Sequence, residues 1–154
     1  MQRTVQRPAF LGGSLAVPGD KSISHRALIL NAMAQGDALV TGLSDGGDVI
    51  STMSCLKALG AVIEPGRQSG TVIVRGAGPG LGEPADILDA GNSGTSMRLL
   101  SGLLAAQPFL SVLTGDESLR SRPMGRVVQP LQRMGAQILG RSDNTLAPLI
   151  IRGG

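Results

Sequence analysis

Ser24-His25-Arg26-Ala27-Leu28-Ile29-Leu30, followed by Ala38-Leu39-Val40-Thr41-Gly42, has a counterpart later in the same chain. The counterpart is Ser96-Met97-Arg98-Leu99-Leu100, followed by Leu110-Ser111-Val112-Leu113-Thr114-Gly115. Two more landmarks recur in the same order. Cys55-Leu56-Lys57-Ala58-Leu59-Gly60-Ala61 matches Pro130-Leu131-Gln132-Arg133-Met134-Gly135-Ala136, and Val72-Ile73-Val74-Arg75-Gly76 matches Leu149-Ile150-Ile151-Arg152-Gly153. Arg26 and Arg98, Gly60 and Gly135, and Arg75 and Arg152 each stand about 75 residues apart, so one unit occurs twice with small insertions. Such repeats bury their helices against neighbours and often number more than two. The chain stops directly after the second copy, at Gly153-Gly154, which suggests truncation.

Each unit reads alike. A loop leads into an apolar helix (22–34 and 93–106), then a short strand (39–42 and 110–113) and a second helix (48–59 and 123–134). That helix ends on Gly60 or Gly135, placed for a left-handed cap. Two strands close the unit, 61–64 with 71–75 and 136–139 with 148–152, around turns at 65–70 and 140–144. Val49, Met53, Leu56 and Leu59 fall three or four apart, so the second helix is amphipathic. The first is apolar nearly all round and is expected to be buried. Pro130 predicts a kink or a late start in the last helix, while Pro123 suits a helix beginning. The fold class is α+β (mixed α/β), in repeated small units of a β-sheet with two packed helices; the first unit spans 17–76 and the second 77–154.

The chain has 154 residues and 42% hydrophobic residues, enough for a core, but only Phe10 and Phe109 are aromatic. The net charge of +3 fits anionic partners. Nucleic acid is not expected, because the aromatic platforms that stack bases are missing. Cys55 is the only cysteine, in an apolar helical stretch, and reads as a small buried hydrophobe. No secretory leader or membrane-spanning stretch is evident, so a cytoplasmic protein is expected. One histidine and one cysteine do not suggest a metal site. His25 has nothing beside it in sequence to orient it as a base, so a structural role is expected.

Chemistry concentrates in two loops at the first helices: Pro18-Gly19-Asp20-Lys21-Ser22-Ile23-Ser24-His25-Arg26 and Asp89-Ala90-Gly91-Asn92-Ser93-Gly94-Thr95-Ser96-Met97-Arg98. Each sets glycine and small hydroxyls at a helix N-terminus, where free N–H groups and a partial positive charge favour phosphate or carboxylate. Lys21, Arg26 and Arg98 add cations, and an arginine can fork onto two oxygens. The plainer reading makes Ser22, Asn92 and Thr95 ordinary N-caps. Gly19-Asp20-Lys21-Ser22 lacks the spacing of a P-loop. A third basic cluster is Arg120-Ser121-Arg122-Pro123-Met124-Gly125-Arg126. Asp48, opening the second helix, reads as an N-cap or dipole partner rather than a catalytic group.

These three stretches resemble, in order, the signatures of the 5-enolpyruvylshikimate-3-phosphate synthase (3-phosphoshikimate 1-carboxyvinyltransferase) family, and the resemblance runs from about Gly12 to the end. It implies transfer of the enolpyruvyl group of phosphoenolpyruvate to the 5-hydroxyl of shikimate 3-phosphate, in aromatic amino acid biosynthesis, without metal or organic cofactor. It implies that Lys21, Ser22 and Arg26 bind shikimate 3-phosphate, and that Lys21, Gly94 and Arg122 meet phosphoenolpyruvate. Asp48, Asn92, Thr95, Arg98 and Arg120 would support that pocket. The inhibitor glyphosate would share the phosphoenolpyruvate site beside Gly94, although Leu99 replaces the proline that follows this arginine in many members. Residues 1–16 would belong to the other domain. A third unit and most of that domain, with the main acid–base groups, would lie outside this chain, leaving it inactive alone. Two readings compete: a non-catalytic anion-binding fragment needing a complementary chain, and the sister enzyme acting on UDP-N-acetylglucosamine. The sister enzyme carries a Lys-Asn signature where this chain has Lys21-Ser22, and a Cys in its active loop where the stretch near Arg120 has none.

Overall fold

In the computed structural model, which describes residues 3–78 and 80–154, the first unit comprises α1 (Lys21–Met33), β1 (Gln35–Val40), α2 (Gly47–Ala58), β2 (Val62–Pro65) and β3 (Val72–Ala77). The second comprises β4 (Leu88–Asp89), α3 (Gly94–Ala105), β5 (Leu110–Thr114), α4 (Glu117–Arg120), α5 (Gly125–Arg133), β6 (Gln137–Gly140) and β7 (Leu146–Arg152). The first sheet is antiparallel in the order β1-β3-β2 and the second runs β4-β5-β7-β6, with β4 parallel to β5. Register repeats between the units. Val74 pairs with Ala38 and Ile63, as Ile151 pairs with Ser111 and Ile138.

The helices of the two units pack on one another (α1 on α2, α2 on α3, α3 on α5), and β3 and β7 lie against α1 and α3. Leu28, Leu56, Val74, Leu100, Leu104, Leu113 and Leu149 are all fully buried in one continuous core. Each such leucine contributes about 1.5–3 kcal/mol through removal from water. Cys55 is buried as expected, and its burial pushes the thiol up to about 11.

Both second helices end as their glycines require. Ala61 N–H donates to Leu56 O at 2.9 Å and Gly60 N–H to Lys57 O at 2.9 Å; Ala136 and Gly135 repeat the pattern onto Leu131 and Gln132 at 3.0 Å each. This double bond pattern needs a left-handed residue past the helix end, and Gly60 and Gly135 supply it with φ of 91° and 102°.

Several expectations need correction. The first helix is not buried all round: Ile23 and Leu30 are 69% and 62% exposed, because α1 closes one edge of the helical layer. With Leu99 and Leu103 of α3, Leu30 borders an open apolar groove of ≈ 420 Å³ that also takes in Ile29 and Met33. The last helix starts at Gly125 rather than at 123: Met124 is its N-cap, the Met124 carbonyl accepting from Val128 N–H at 3.0 Å while Met124 N–H donates to Thr145 O at 2.7 Å. Pro130 still falls inside it. The turn expected at 140–144 is a run of left-handed residues, Ser142, Asp143 and Asn144, steadied by Gly140 N–H on Asn144 Oδ1 at 2.8 Å. β4 and α4 were not expected. Residues 3–18 are exposed and form no strand, and residues 1 and 2 lie outside the described residues. Among the described residues, no helix is long and apolar enough to cross a membrane.

Candidate functional site

The first turns of α1, α2 and α3 meet. Lys21, the first residue of α1, places its Nζ 2.9 Å from Asp48 Oδ2 in the first turn of α2. The Asp48 carbonyl in turn accepts from Ser96 Oγ, in the first turn of α3, at 3.1 Å. One short path therefore joins the two loops singled out in the sequence. The first turns of the three helices, which carry free N–H groups and the positive dipole ends, are thus neighbours here.

Capping falls on different residues from those the plainer reading named. Asp20 caps α1, its Oδ1 accepting from Ile23 N–H at 2.7 Å, and Ser93 caps α3, its Oγ accepting from Ser96 N–H at 3.1 Å. Ser22, Asn92 and Thr95 are therefore not the N-caps. Gly46 holds that position in α2, leaving Asp48 in the first turn as Lys21's partner. Ser22 and Thr95 are each the second residue of their helix, exposed and half-buried. Arg26, one turn beyond Ser22, donates to the Ser22 carbonyl at 3.0 Å and is exposed.

Around α3 the cations are held by neutral acceptors. Arg98 Nη1 donates to Gly94 O at 3.1 Å and Nη2 to Pro123 O at 3.3 Å. Arg122 donates to Asn92 Oδ1 at 2.6 Å, to Asn92 O at 3.3 Å and to Ser118 Oγ at 3.1 Å. Arg120 turns the other way, onto the Gly115 carbonyl at 3.0 Å. Among the described residues the ion pairs are Lys21–Asp48, Arg75–Asp37 and Arg75–Glu64 only, so Arg26, Arg98, Arg120 and Arg122 keep their charge free of a carboxylate contact. Gly94 lies under the two guanidiniums: a Cβ built there would meet Arg98 Nη1 at 2.6 Å and Arg122 Nη1 at 3.6 Å.

Beneath the junction runs a buried polar chain that sequence reasoning missed. His25 Nδ1 lies 2.8 Å from Thr52 Oγ1, which lies 2.6 Å from Ser96 Oγ, itself 2.6 Å from Ser93 Oγ. His25 Nε2 is buried without a partner among the described residues. Burial lowers the His25 pKa, Lys21 and Arg26 lower it further, and Asp48 opposes them. The imidazole is therefore held neutral under three hydroxyls. No spacing rule links positions 25, 52 and 96, so only the three-dimensional packing reveals the chain. Among the described residues no three His, Cys, Asp or Glu side chains gather where they could hold a metal ion.

A family model described as EPSP synthase (3-phosphoshikimate 1-carboxyvinyltransferase) matches residues 5–154. The chain belongs to the EPSP synthase family. The 3-phosphoshikimate 1-carboxyvinyltransferase of Pelotomaculum thermopropionicum is 57% identical over 155 residues, covering 100% of this chain and 36% of that protein. That of Herpetosiphon aurantiacus is 54% identical over 153 residues, covering 99% of this chain and 35% of its own length. The solved EPSP synthase from Acinetobacter baumannii superposes with a TM-score of 0.87 at 49% identity, over 92% of this chain and 32% of that one. The α+β repeat architecture is thus that of EPSP synthase, and the chain spans about a third of the length of the relatives it matches.

Proposed function

We propose that this chain supplies the half-site that gathers two anionic substrates, shikimate 3-phosphate and phosphoenolpyruvate, in an enzyme that transfers the enolpyruvyl group to the 5-hydroxyl and releases phosphate. The observation that carries the reading is the meeting of three helix N-termini beside arginines that no carboxylate neutralises. Such a field of fixed donors binds phosphates and stabilises charge that builds up during transfer. Holding both substrates together supplies proximity. Lys21, Ser22 and Arg26 take the shikimate phosphate. Lys21, Gly94 and Arg122 take phosphoenolpyruvate, with Asp48, Asn92, Thr95, Arg98 and Arg120 supporting them. Glyphosate, an anion of similar size, competes at the Gly94 side.

The main acid–base groups belong to the part of the protein beyond this chain, so turnover needs that part. The protein works in the cytoplasm. Calorimetric titration of this chain with shikimate 3-phosphate tests the reading. Saturable heat in the parent and none in Arg26→Ala supports it. Equal heat in both removes Arg26 from the site. Turnover on adding a complementary C-terminal chain separates an enzyme half from a non-catalytic anion-binding fragment.

A further inference from the structure

Asp116 lies outside the three signatures, yet two of its contacts reach into the site. It precedes α4, and its backbone N–H donates to Gly91 O at 2.9 Å, while Ala90 N–H donates to Thr114 O at 2.9 Å. These two bonds hold the end of β5 against the loop that opens α3. Asp116 Oδ1 accepts from Leu119 N–H at 2.7 Å, capping α4. Its Oδ2 accepts from Asn92 Nδ2 at 2.6 Å. An ionised carboxylate only accepts, so the Asn92 amide must turn its NH₂ towards Asp116. The amide oxygen then faces the other way, and there Arg122 Nη2 donates to it at 2.6 Å.

We propose that Asp116 is the positioning residue that, through Asn92, aims the Arg122 guanidinium at its anion. This rests on the functional reading of Arg122 given above. The arrangement settles a conflict. A carboxylate touching Arg122 would fix its direction but would also neutralise it. With one amide in between, Arg122 is steered by neutral oxygens and keeps its charge for the ligand. Hydrogen bonds from Asn92 and from the Leu119 N–H, with Arg122 and Arg120 nearby, lower the Asp116 pKa, which keeps the carboxylate in its accepting form.

The test is Asp116→Asn, measured with phosphoenolpyruvate as probe. An asparagine has a single amide oxygen, so it can cap α4 or receive Asn92, but not both. The field alone predicts tighter binding once a negative charge near Arg122 is gone. Positioning predicts the opposite, a loss of about tenfold, as expected when one charge-assisted contact is misaligned. Asn92→Ala should weaken binding comparably, and the double variant should be no worse than Asn92→Ala, because the two act in series. Unchanged or tighter binding in Asp116→Asn overturns the proposal. Arg122 side-chain NMR provides a readout that needs no ligand: rotation of the guanidinium should be hindered in the parent and faster in Asp116→Asn. If neither the parent nor Arg122→Ala responds to phosphoenolpyruvate, the reading of Arg122 fails for this chain. Asp116 is then judged on rotation alone, and equal rotation in parent and variant refutes it.

Discussion

Gly94→Ala separates the site from the scaffold. Gly94 is the first residue of α3, and the nearest atom to an added Cβ is Arg98 Nη1 at 2.6 Å, with Arg122 Nη1 next at 3.6 Å. Both are far ends of flexible side chains, and no backbone of another element comes as near. To reach ordinary contact the Arg98 guanidinium must retreat by about 1 Å. That motion breaks its bonds to Gly94 O and Pro123 O, at 3.1 and 3.3 Å, which are partly solvent-exposed. Against this small loss stands the gain of replacing glycine in a helix and in the unfolded chain, about 0.5–1 kcal/mol. The expected melting temperature therefore stays within about 3 °C of the parent. Phosphoenolpyruvate affinity should nevertheless fall about tenfold, since a misplacement of this size spoils a bidentate contact. Circular dichroism melts and calorimetric titrations on the same samples give both numbers; the chain has no Trp or Tyr for fluorescence. In an Arg98→Ala background the methyl should have little further effect, because the atom it displaces is gone. A melting temperature lowered by more than about 5 °C would mean that the methyl meets something rigid. Unchanged affinity would remove Arg98 from the binding geometry.

The remaining predictions concern the scaffold beneath the site. The His25 pKa is lowered from 6.5, so the unfolded chain takes up a proton that the folded chain refuses. Its contribution to stability is then complete above pH 6.5 and is lost progressively below it, and urea midpoints from pH 7.5 to 5 should show a slope that His25→Asn flattens. Thr52→Val keeps the shape but leaves His25 Nδ1 unpaired, while Ser96 Oγ keeps Ser93 Oγ and the Asp48 carbonyl, and should cost about 1–3 kcal/mol in the same assay. Cys55, 2% exposed and with its thiol pushed up to about 11, should hold roughly a hundredth of the thiolate of a free cysteine at pH 8. Iodoacetamide should therefore label it rapidly only after denaturation, as intact-mass measurement would show.

Most of the fold was legible because it is written twice. Four landmarks in one order gave the repeat, and Gly60 and Gly135 marked the same helix end in both units with the same pair of capping bonds. What escaped were elements too short to carry a period. β4 is two residues long and joins the sheet only through β5, and α4 is a single turn fixed by Asp116. The exposure of α1 escaped for another reason. An apolar surface on all sides says that a helix needs cover, but not which neighbours the chain in hand provides. Ile23 and Leu30 stay largely exposed among the described residues.

The site was legible as residue types and not as roles, and the caps show why. Glycine followed by small hydroxyls announces a helix start, but an N-cap must keep extended backbone angles while its side chain reaches two or three residues ahead. A shift of one position decides which hydroxyl or carboxyl is spent on the helix and which stays available to a ligand. Asp20 and Ser93 adopt those angles, with ψ of 130° and 97°, and so release Ser22, Asn92 and Thr95. Asn92, once released, is claimed by Asp116, which stands 24 residues away and carries no motif of its own. A charged group acting through a neutral one leaves no pattern along the chain, since its only requirement is that β5 deliver it opposite the loop before α3. The direction of Arg122 is therefore a property of sheet register: β4 on β5 sets Asp116 against Gly91, and the amide between them passes that placement on to the guanidinium.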